Sequence, residues 1–321
     1  MKKRVLLLLV LILALLIVYV NKYLELEYDV NILEYIRFSS GYTKEEIEII
    51  EHYKPLIYGG NINEPPLGIY YEKNKQYTGL VVDFINALSI ELETPIISQP
   101  MVWNQALEAL AERKTNLCDM VPSAARAKVF AFSSPIYKLR GVIVVKGSNK
   151  KVHELKDIKD MTVAVQKGDY AIELIPANEN VNIIYADNIS EAMNLLNINQ
   201  VDAVIGDEPV VRYYINELFY FDDYRILEKP IYECNCAFAV PKEQEELLKV
   251  INKAIFGMKR KGIFYSIEAK WAGHHNSSLK ENKNIEKLRL NIVVFIFFAV
   301  IILYLAYLWN RSLKLLVYAR T

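Results

Sequence analysis

Two long apolar runs near the ends of this 321-residue chain limit what it can fold into. Val5–Val20 is an unbroken run of 16 apolar residues behind three basic ones, and Ile292–Trp309 is a run of 18 between Arg289 and Arg311. The second run is long enough to span a bilayer. No small-x-small cleavage site follows the first, which favours a retained signal anchor. Basic residues flank the outer end of each run, so the positive-inside rule places both termini in the cytoplasm of a cell-membrane protein.

The segment between the runs, which this topology places outside the membrane, is long enough for two lobes of ordinary domain size. The chain has 38 basic and 38 acidic residues, and this balance argues against a nucleic-acid partner. Its three cysteines are Cys118, Cys234 and Cys236. An odd number in an exported segment does not indicate a disulfide framework, and C-x-C without a nearby His is weak for zinc. We expect buried or free thiols, and we predict no metal site and no cofactor.

Short apolar strands alternate with amphipathic helices along the middle of the chain. A capping-box pattern, Thr43 to Glu46, opens the first short helix. The predicted strands are 54–59, 95–97, 118–121, 142–145, 162–165, 181–185, 201–205 and 236–240, and the helices between them include 79–92, 103–112 and 169–175. This order predicts two α/β lobes with parallel sheets and helices on both faces.

The stretch Val201–Tyr214, VDAVIGDEPVVRYY, carries the main functional signal. Its buried strand ends near Asp207, and a helix opens near Pro209. Asp207 therefore lies at the carboxyl end of a strand, which is the edge where open α/β sheets hold ligands. The alternative is a structural cap, because Asp is a preferred N-cap and Pro a preferred first-turn residue.

Segments throughout the middle of the chain resemble one known family. They are LIYGGNINEPPLGIYYEKNKQYTGLVVDFINAL, Trp103-x3-Leu107-x2-Leu110, CDMVPS, FSSPIY, MTVAVQKGDYAIELI, VDAVIGDEPVVRYY and AVPKEQEELLKVINKAI. From about Thr43 to Gly273 the chain resembles bacterial extracellular solute-binding proteins of family 3, the amino-acid-binding type. With its flanking apolar runs, it further resembles the membrane-anchored sensory ectodomains of histidine kinases and diguanylate cyclases.

The resemblance implies a two-lobed α/β fold of the periplasmic-binding-protein-like (type II) flytrap kind, flanked by an N-terminal and a C-terminal transmembrane helix. The chain would cross between the lobes near 140–148 and 227–236. The implied organisation is a signal anchor or transmembrane helix 1–22, a stalk and lead-in helix 23–52, lobe 1 53–142, lobe 2 143–233, a return to lobe 1 234–273, a linker 274–288, a transmembrane helix 289–310 and a cytoplasmic tail 311–321.

The resemblance also places a ligand in the cleft between the lobes. Arg126, six residues before Phe132, would fork onto a ligand carboxylate, and Asp207 would hold the ligand amine. Ser123 would add a hydroxyl, and the amides at the helix start would favour an anion. The implied ligand-binding residues are Tyr58, Glu64, Trp103, Ser123, Arg126, Gly168, Asp169, Tyr170 and Asp207, and none is implied to be catalytic.

Three positions leave alternatives open. The loop before Phe132 is a few residues shorter than usual in the family, so Arg126 could replace a neighbouring basic residue and point to solvent. Asp169 stands where many relatives have Ser or Thr, and its carboxylate would repel an anionic ligand unless it caps the helix or pairs with Arg126. Trp103 is as well explained as a helix core anchor as by ligand contact.

Three functions are consistent with these features. The first is a sensory binding module that closes on a small polar ligand, an amino acid or related compound, and signals through its membrane helices to a partner. The second is a tethered receptor of an amino-acid ABC transporter, working with its permease. The third is a dehydratase-type enzyme, which the absence of an acid–base pair in the cleft motifs disfavours. His274-His275 is best explained as a solvated turn, and the predicted tail 311–321 is too short for a catalytic domain.

Overall fold

The computed structural model describes residues 2–175, 180–218, 223–271 and 279–318. The chain forms two compact units, one made of residues 1–39 and 278–321 and the other of residues 40–277. The helices are α1 Lys2–Tyr28, α2 Ile32–Ser39, α3 Lys44–His52, α4 Leu80–Glu91, α5 Trp103–Ala111, α6 Ile189–Asn197, α7 Glu208–Leu218, α8 Glu245–Arg260, α9 Ile263–Trp271 and α10 Leu279–Tyr318.

The first unit consists of α1, α2 and α10. The hydroxyl of Tyr19 on α1 donates to Asn291 Oδ1 on α10 at 2.9 Å, and Lys287 forms an ion pair with Glu27. Within the described residues, one stretch is long and apolar enough to cross a membrane, Asn284–Arg311, with a mean hydropathy of 2.8. It includes the predicted C-terminal span, while the N-terminal anchor stays a prediction.

The second unit is built on strands that form three sheets. The strands are β1 Leu56–Asn61, β2 Asn63–Glu64, β3 Gly68–Tyr71, β4 Gln76–Thr78, β5 Ile96–Met101, β6 Cys118–Met120, β7 Phe130–Lys146, β8 Thr162–Gln166, β9 Asn182–Ala186, β10 Ala203–Asp207, β11 Tyr224–Ile226 and β12 Tyr232–Pro241. The largest sheet has seven strands in the order β6-β12-β7-β10-β8-β9, with β11 beside β7. A parallel β1-β5 pair and a small antiparallel β2-β3-β4 sheet complete the set.

The prediction of parallel sheets is wrong for the centre of the fold. Strands β8, β9 and β10 are parallel to one another, but β7 runs antiparallel to β10, β11 and β12. The reason is that β7, 17 residues long, pairs antiparallel with β12 in its first part and with β10 and β11 in its last, and a parallel alternation does not predict these pairings. We call the part built on β1–β6 lobe 1 and the part built on β8–β11 lobe 2. The long strand passes from one to the other.

The crossing between the lobes is at Gly141. This residue is the register partner of Tyr232 on β12 and of Asp207 on β10. A Cβ atom at Gly141 would lie 2.0 Å from the Tyr232 ring. Close packing therefore requires glycine at position 141. The Tyr232 ring, which occupies the space that a Cβ atom would need, lies next to the end of β10.

Local sequence signals explain most helix boundaries. The capping box that opens α3 is present, with the Thr43 side chain accepting from the Glu46 amide and the Glu46 carboxylate accepting from the Thr43 amide. The predicted helix 169–175 is only a 3-10 turn, Tyr170–Glu173. Pro176 follows it in sequence, and a proline disfavours helical backbone in the residue before it. The predicted turn at His274-His275 lies outside the described residues.

Candidate ligand-binding site

The two lobes meet around a cavity of about 30 Å³, which is room for about two water molecules. Residues from both lobes line it. They are Glu64, Trp103, Asp119, Met120, Val121, Arg126, Tyr137, Leu139, Gln166, Asp169, Tyr170, Asp207, Tyr232 and Cys236. Four of these side chains are acidic and one is basic, so the lining has an excess of acidic groups.

Lobe 1 contributes Asp119, which lies in β6 and is almost fully buried. Its two carboxylate oxygens accept hydrogen bonds from the hydroxyls of Tyr58, at 2.6 Å, and Tyr137, at 2.7 Å. Burial raises the pKa of Asp119, and these two hydrogen bonds act in the opposite direction. The two phenols therefore fix the orientation of this carboxylate, which lines the cavity.

Lobe 2 contributes Asp169, at the turn that follows β8. Gly168 has a φ of 85°, in the left-handed region that favours glycine, and this turns the chain into the 3-10 segment. Asp169 Oδ1 then accepts a hydrogen bond of 2.7 Å from the Ala171 amide. Burial raises the pKa of Asp169 to about 6, and the Ala171 amide and the Arg126 charge limit the rise. The sequence alternative that this carboxylate caps the turn is confirmed.

Asp207 is the last residue of β10, and its carboxylate accepts a hydrogen bond from the Tyr232 hydroxyl. Burial, together with the charge of Asp169, raises the pKa of Asp207 to about 8, and hydrogen bonds from Tyr232 and Glu64 and the Arg126 charge limit the rise. Burial and the charge of Asp207 also raise the pKa of Glu64, on the opposite lobe. Two carboxyl groups thus face each other across the cleft, and protons reduce their repulsion.

Arg126 is directed into the lobe interface, where 10% of its side chain is exposed. Its Nη1 donates to the Val121 carbonyl and its Nη2 to the Gly168 carbonyl, each at 3.0 Å. Its Nε lies 3.6 Å from Glu173 Oε1. The alternative that this arginine points to solvent is therefore wrong.

Direct hydrogen bonds hold the lobes in a closed arrangement. Trp103 Nε1 donates to the Gly168 carbonyl at 3.1 Å, beside the Arg126 bond to the same oxygen. On another side of the cleft, the Tyr214 hydroxyl donates to Asn63 Oδ1 at 2.7 Å. Trp103 packs on the core of lobe 1 and also lines the cavity, so its interpretation as a core anchor is confirmed and its contact with a ligand stays a prediction.

The structure brings together most of the residues expected at the site. Glu64, Trp103, Arg126, Asp169, Tyr170 and Asp207 line the cavity. The other three lie behind it. Tyr58 is buried against Asp119, Gly168 offers its carbonyl to Arg126 and Trp103, and the Ser123 hydroxyl donates to Glu173 at 3.1 Å. Direct ligand contact by any of the nine stays a prediction.

Sequence reasoning missed Asp119 and the aromatic groups Tyr137 and Tyr232. Asp119 had a usable signal, because it is an acidic residue inside the apolar strand Cys118–Met120, next to an edge that holds ligands. The tyrosines had none, since their roles depend on the pairing of β7 with β12, which periodicity does not show.

An α/β fold of two lobes joined by long crossing strands, with a polar cavity between them, defines a solute-binding domain of the periplasmic-binding-protein type. The sequence family described as bacterial extracellular solute-binding proteins, family 3, matches residues 56–274. The chain belongs to this family.

Individual proteins agree with this assignment. The chain is 27% identical over 211 residues to the virulence sensor protein BvgS of Bordetella bronchiseptica, a match that covers 63% of this chain but 17% of BvgS. It is 24% identical over 223 residues to the L-cystine-binding protein TcyJ of Escherichia coli K12, covering 68% of this chain and 82% of TcyJ. An ancestral arginine-binding protein bound to arginine superposes with a TM-score of 0.62 at 30% identity, covering 67% of this chain and 97% of that structure.

Proposed function

We propose that the chain is a membrane-anchored sensor whose extracytoplasmic domain closes on a small polar ligand, an amino acid or related compound, and signals through its membrane helices. The observation that carries this proposal is that cavity-lining side chains also make lobe–lobe contacts. Trp103 and Arg126 line the cavity and bond to Gly168 of the opposite lobe. A ligand between the lobes would therefore favour the closed state over the open one.

Two further observations support membrane attachment and sensing. α10 contains a stretch, Asn284–Arg311, with the length and hydropathy of a membrane span. One relative, BvgS, is named a virulence sensor protein, and others are named for binding arginine or L-cystine. The amino-acid class of ligand rests on those names together with the polar cleft.

The runner-up is a tethered receptor of an ABC transporter, as the transport-receptor relatives suggest. A tethered receptor needs one anchor, and the N-terminal apolar run supplies it. The C-terminal span would then have no function, which favours the sensor.

The experiment is calorimetric titration of the full chain in lipid nanodiscs with each standard amino acid and with the amines made from them by decarboxylation. We expect saturable one-site binding by at least one compound. Asp207→Ala should weaken it at least about a hundredfold, because it removes the carboxyl group that would ionise and pair with the ligand cation in a closed cleft. Asp187→Ala, at an exposed residue of lobe 2, is the matched control and should bind normally. If no compound binds at millimolar concentration, the proposal is wrong.

A further inference from the structure

The electrostatics of the cleft do not suit a zwitterionic ligand. Four carboxyl groups line the cavity, from Glu64, Asp119, Asp169 and Asp207, against the single guanidinium of Arg126. Glu173 adds another carboxylate 3.6 Å from Arg126 Nε. A ligand carboxylate entering this space would make these carboxyl groups harder to ionise, whereas a cation would favour their ionised forms and pair with them.

In lobe 2, the backbone amide at which a ligand anion would bind is already hydrogen-bonded to a carboxylate of the protein. At the turn after β8, the Ala171 amide donates a hydrogen bond of 2.7 Å to the Asp169 carboxylate, and the Asp169 side chain is buried. A ligand carboxylate would have to displace this buried group or lie beside it. The turn therefore already has its own anion.

Arg126 is likewise engaged. Each of its three side-chain nitrogens has a protein oxygen nearby: the carbonyls of Val121 and Gly168 at 3.0 Å and the Glu173 carboxylate at 3.6 Å. Rotating the guanidinium onto a ligand would break two hydrogen bonds, one of which joins the lobes. Its position therefore helps to close the cleft.

Glu64 and Asp207 offer what a cation needs. They approach from opposite lobes, and protons lessen their mutual repulsion, as the raised pKa values of both groups indicate. An ammonium or guanidinium group placed between them would supply the positive charge instead. The rings of Trp103, Tyr170 and Tyr232 also line the cavity and present aromatic surface to an organic cation.

We propose that the cleft binds an organic cation without a carboxylate, an amine or guanidino-amine, held by Glu64 and Asp207 and enclosed by aromatic rings. This rests on the proposed function, because it specifies the ligand class of the same cleft. An inorganic cation is disfavoured, because no group of three His, Cys, Asp or Glu side chains in the described parts of the chain is placed to hold a metal ion.

The test compares matched pairs that differ only by a carboxylate: agmatine against arginine, and putrescine against ornithine. The full chain in nanodiscs is titrated at pH 8, where Asp169 is ionised. The expected result is that each amine binds at least about tenfold more tightly than its parent amino acid. Equal or tighter binding of the amino acids would overturn the inference and leave the proposed function intact. Absence of binding by all amines and amino acids would reject both. Saturable binding of Ca²⁺ or Mg²⁺ that excludes agmatine would also overturn the inference.

A specificity variant makes the test sharper. Asp169→Ser replaces the carboxylate with a neutral hydroxyl that still caps the turn. The ratio of agmatine to arginine affinity should then fall at least about tenfold. Asp157→Ser is the matched control, since the Asp157 carboxylate also accepts hydrogen bonds from backbone amides at a turn, those of His153 and Glu154, but does not line the cavity. If Asp169→Ser does not fold, Asp169→Asn serves the same purpose. An unchanged affinity ratio in a folded variant would show that Asp169 does not select against carboxylates.

Discussion

At the residue scale, the arrangement around Asp207 makes stability depend on pH. Burial, together with the charge of Asp169, raises its pKa to about 8. Hydrogen bonds from Tyr232 and Glu64 and the charge of Arg126 limit this rise. A native pKa above the unfolded value means that the native state binds more protons between about pH 4 and 8. The stabilisation is therefore complete below about pH 4 and is lost as the pH rises through about 8. The pKa values of Glu64 and Asp169 are also raised, so these two groups likewise stabilise the native state less as the pH rises.

We predict that the melting temperature of the full chain, without added ligand, falls as the pH is raised from 5 to 8. The free energy of unfolding should fall by up to roughly 1.4 kcal/mol per pH unit for each extra proton held. Asp207→Asn should reduce the slope, and Asp187→Asn, at an exposed carboxylate on the same lobe, should retain it. A slope that is the same in Asp207→Asn and wild type would contradict this account.

The sequence predicted the position of Asp207 because strand, break and helix follow one another directly in VDAVIGDEPVV. It did not predict the partner of Asp207, because Tyr232 arrives from 25 residues away on another strand. The same contrast applies to Asp169. Its capping bond is local and could be anticipated, whereas its burial depends on the approach of lobe 1.

At the element scale, β7 and β12 explain why the fold departs from a parallel alternation. Periodicity identified the apolar stretch 142–145 as a strand but could not show that pairing extends over 17 residues from Phe130. Strand length and direction here are set by the partner strands, and those contacts are distant in sequence. The helices, whose caps and apolar faces are local, were predicted more closely, as α3, α4 and α5 show.

The crossing of these strands gives a second prediction. Gly141→Ala should move the Tyr232 ring, because the new Cβ would lie 2.0 Å from it, and this overpacking should cost roughly 1–3 kcal/mol of stability. Displacing the ring also removes the hydroxyl from Asp207, so ligand affinity should fall. Gly41→Ala is the control, because no atom lies within 4 Å of its added Cβ. Chemical denaturation and calorimetry measure the two effects. Equal stability of the two variants would show that the ring has space to move.

At the scale of the whole molecule, the proposed sensor function requires that closure of the binding domain be coupled to helices in a membrane. The cleft supplies the first requirement, since a ligand held by both lobes has different affinities for the open and closed states. The second requirement is a helix that responds, and α10 is a continuous helix of 40 residues, Leu279–Tyr318, which includes the candidate span. A continuous helix can carry a small displacement along its length without intervening loops.

The last prediction tests this coupling. A histidine-kinase core is fused after residue 321 in each of seven consecutive helical registers, and autophosphorylation is measured in nanodiscs with and without the compound that binds in the titrations. Because displacement of a helix changes the packing of the fused kinase core only in suitable registers, we expect a ligand response in some fusions and not in others. Asp207→Ala should abolish the response, and Asp187→Ala should keep it. Ligand-independent output in all seven registers, alongside normal binding, would reject transmission and leave a tethered binding protein as the better interpretation.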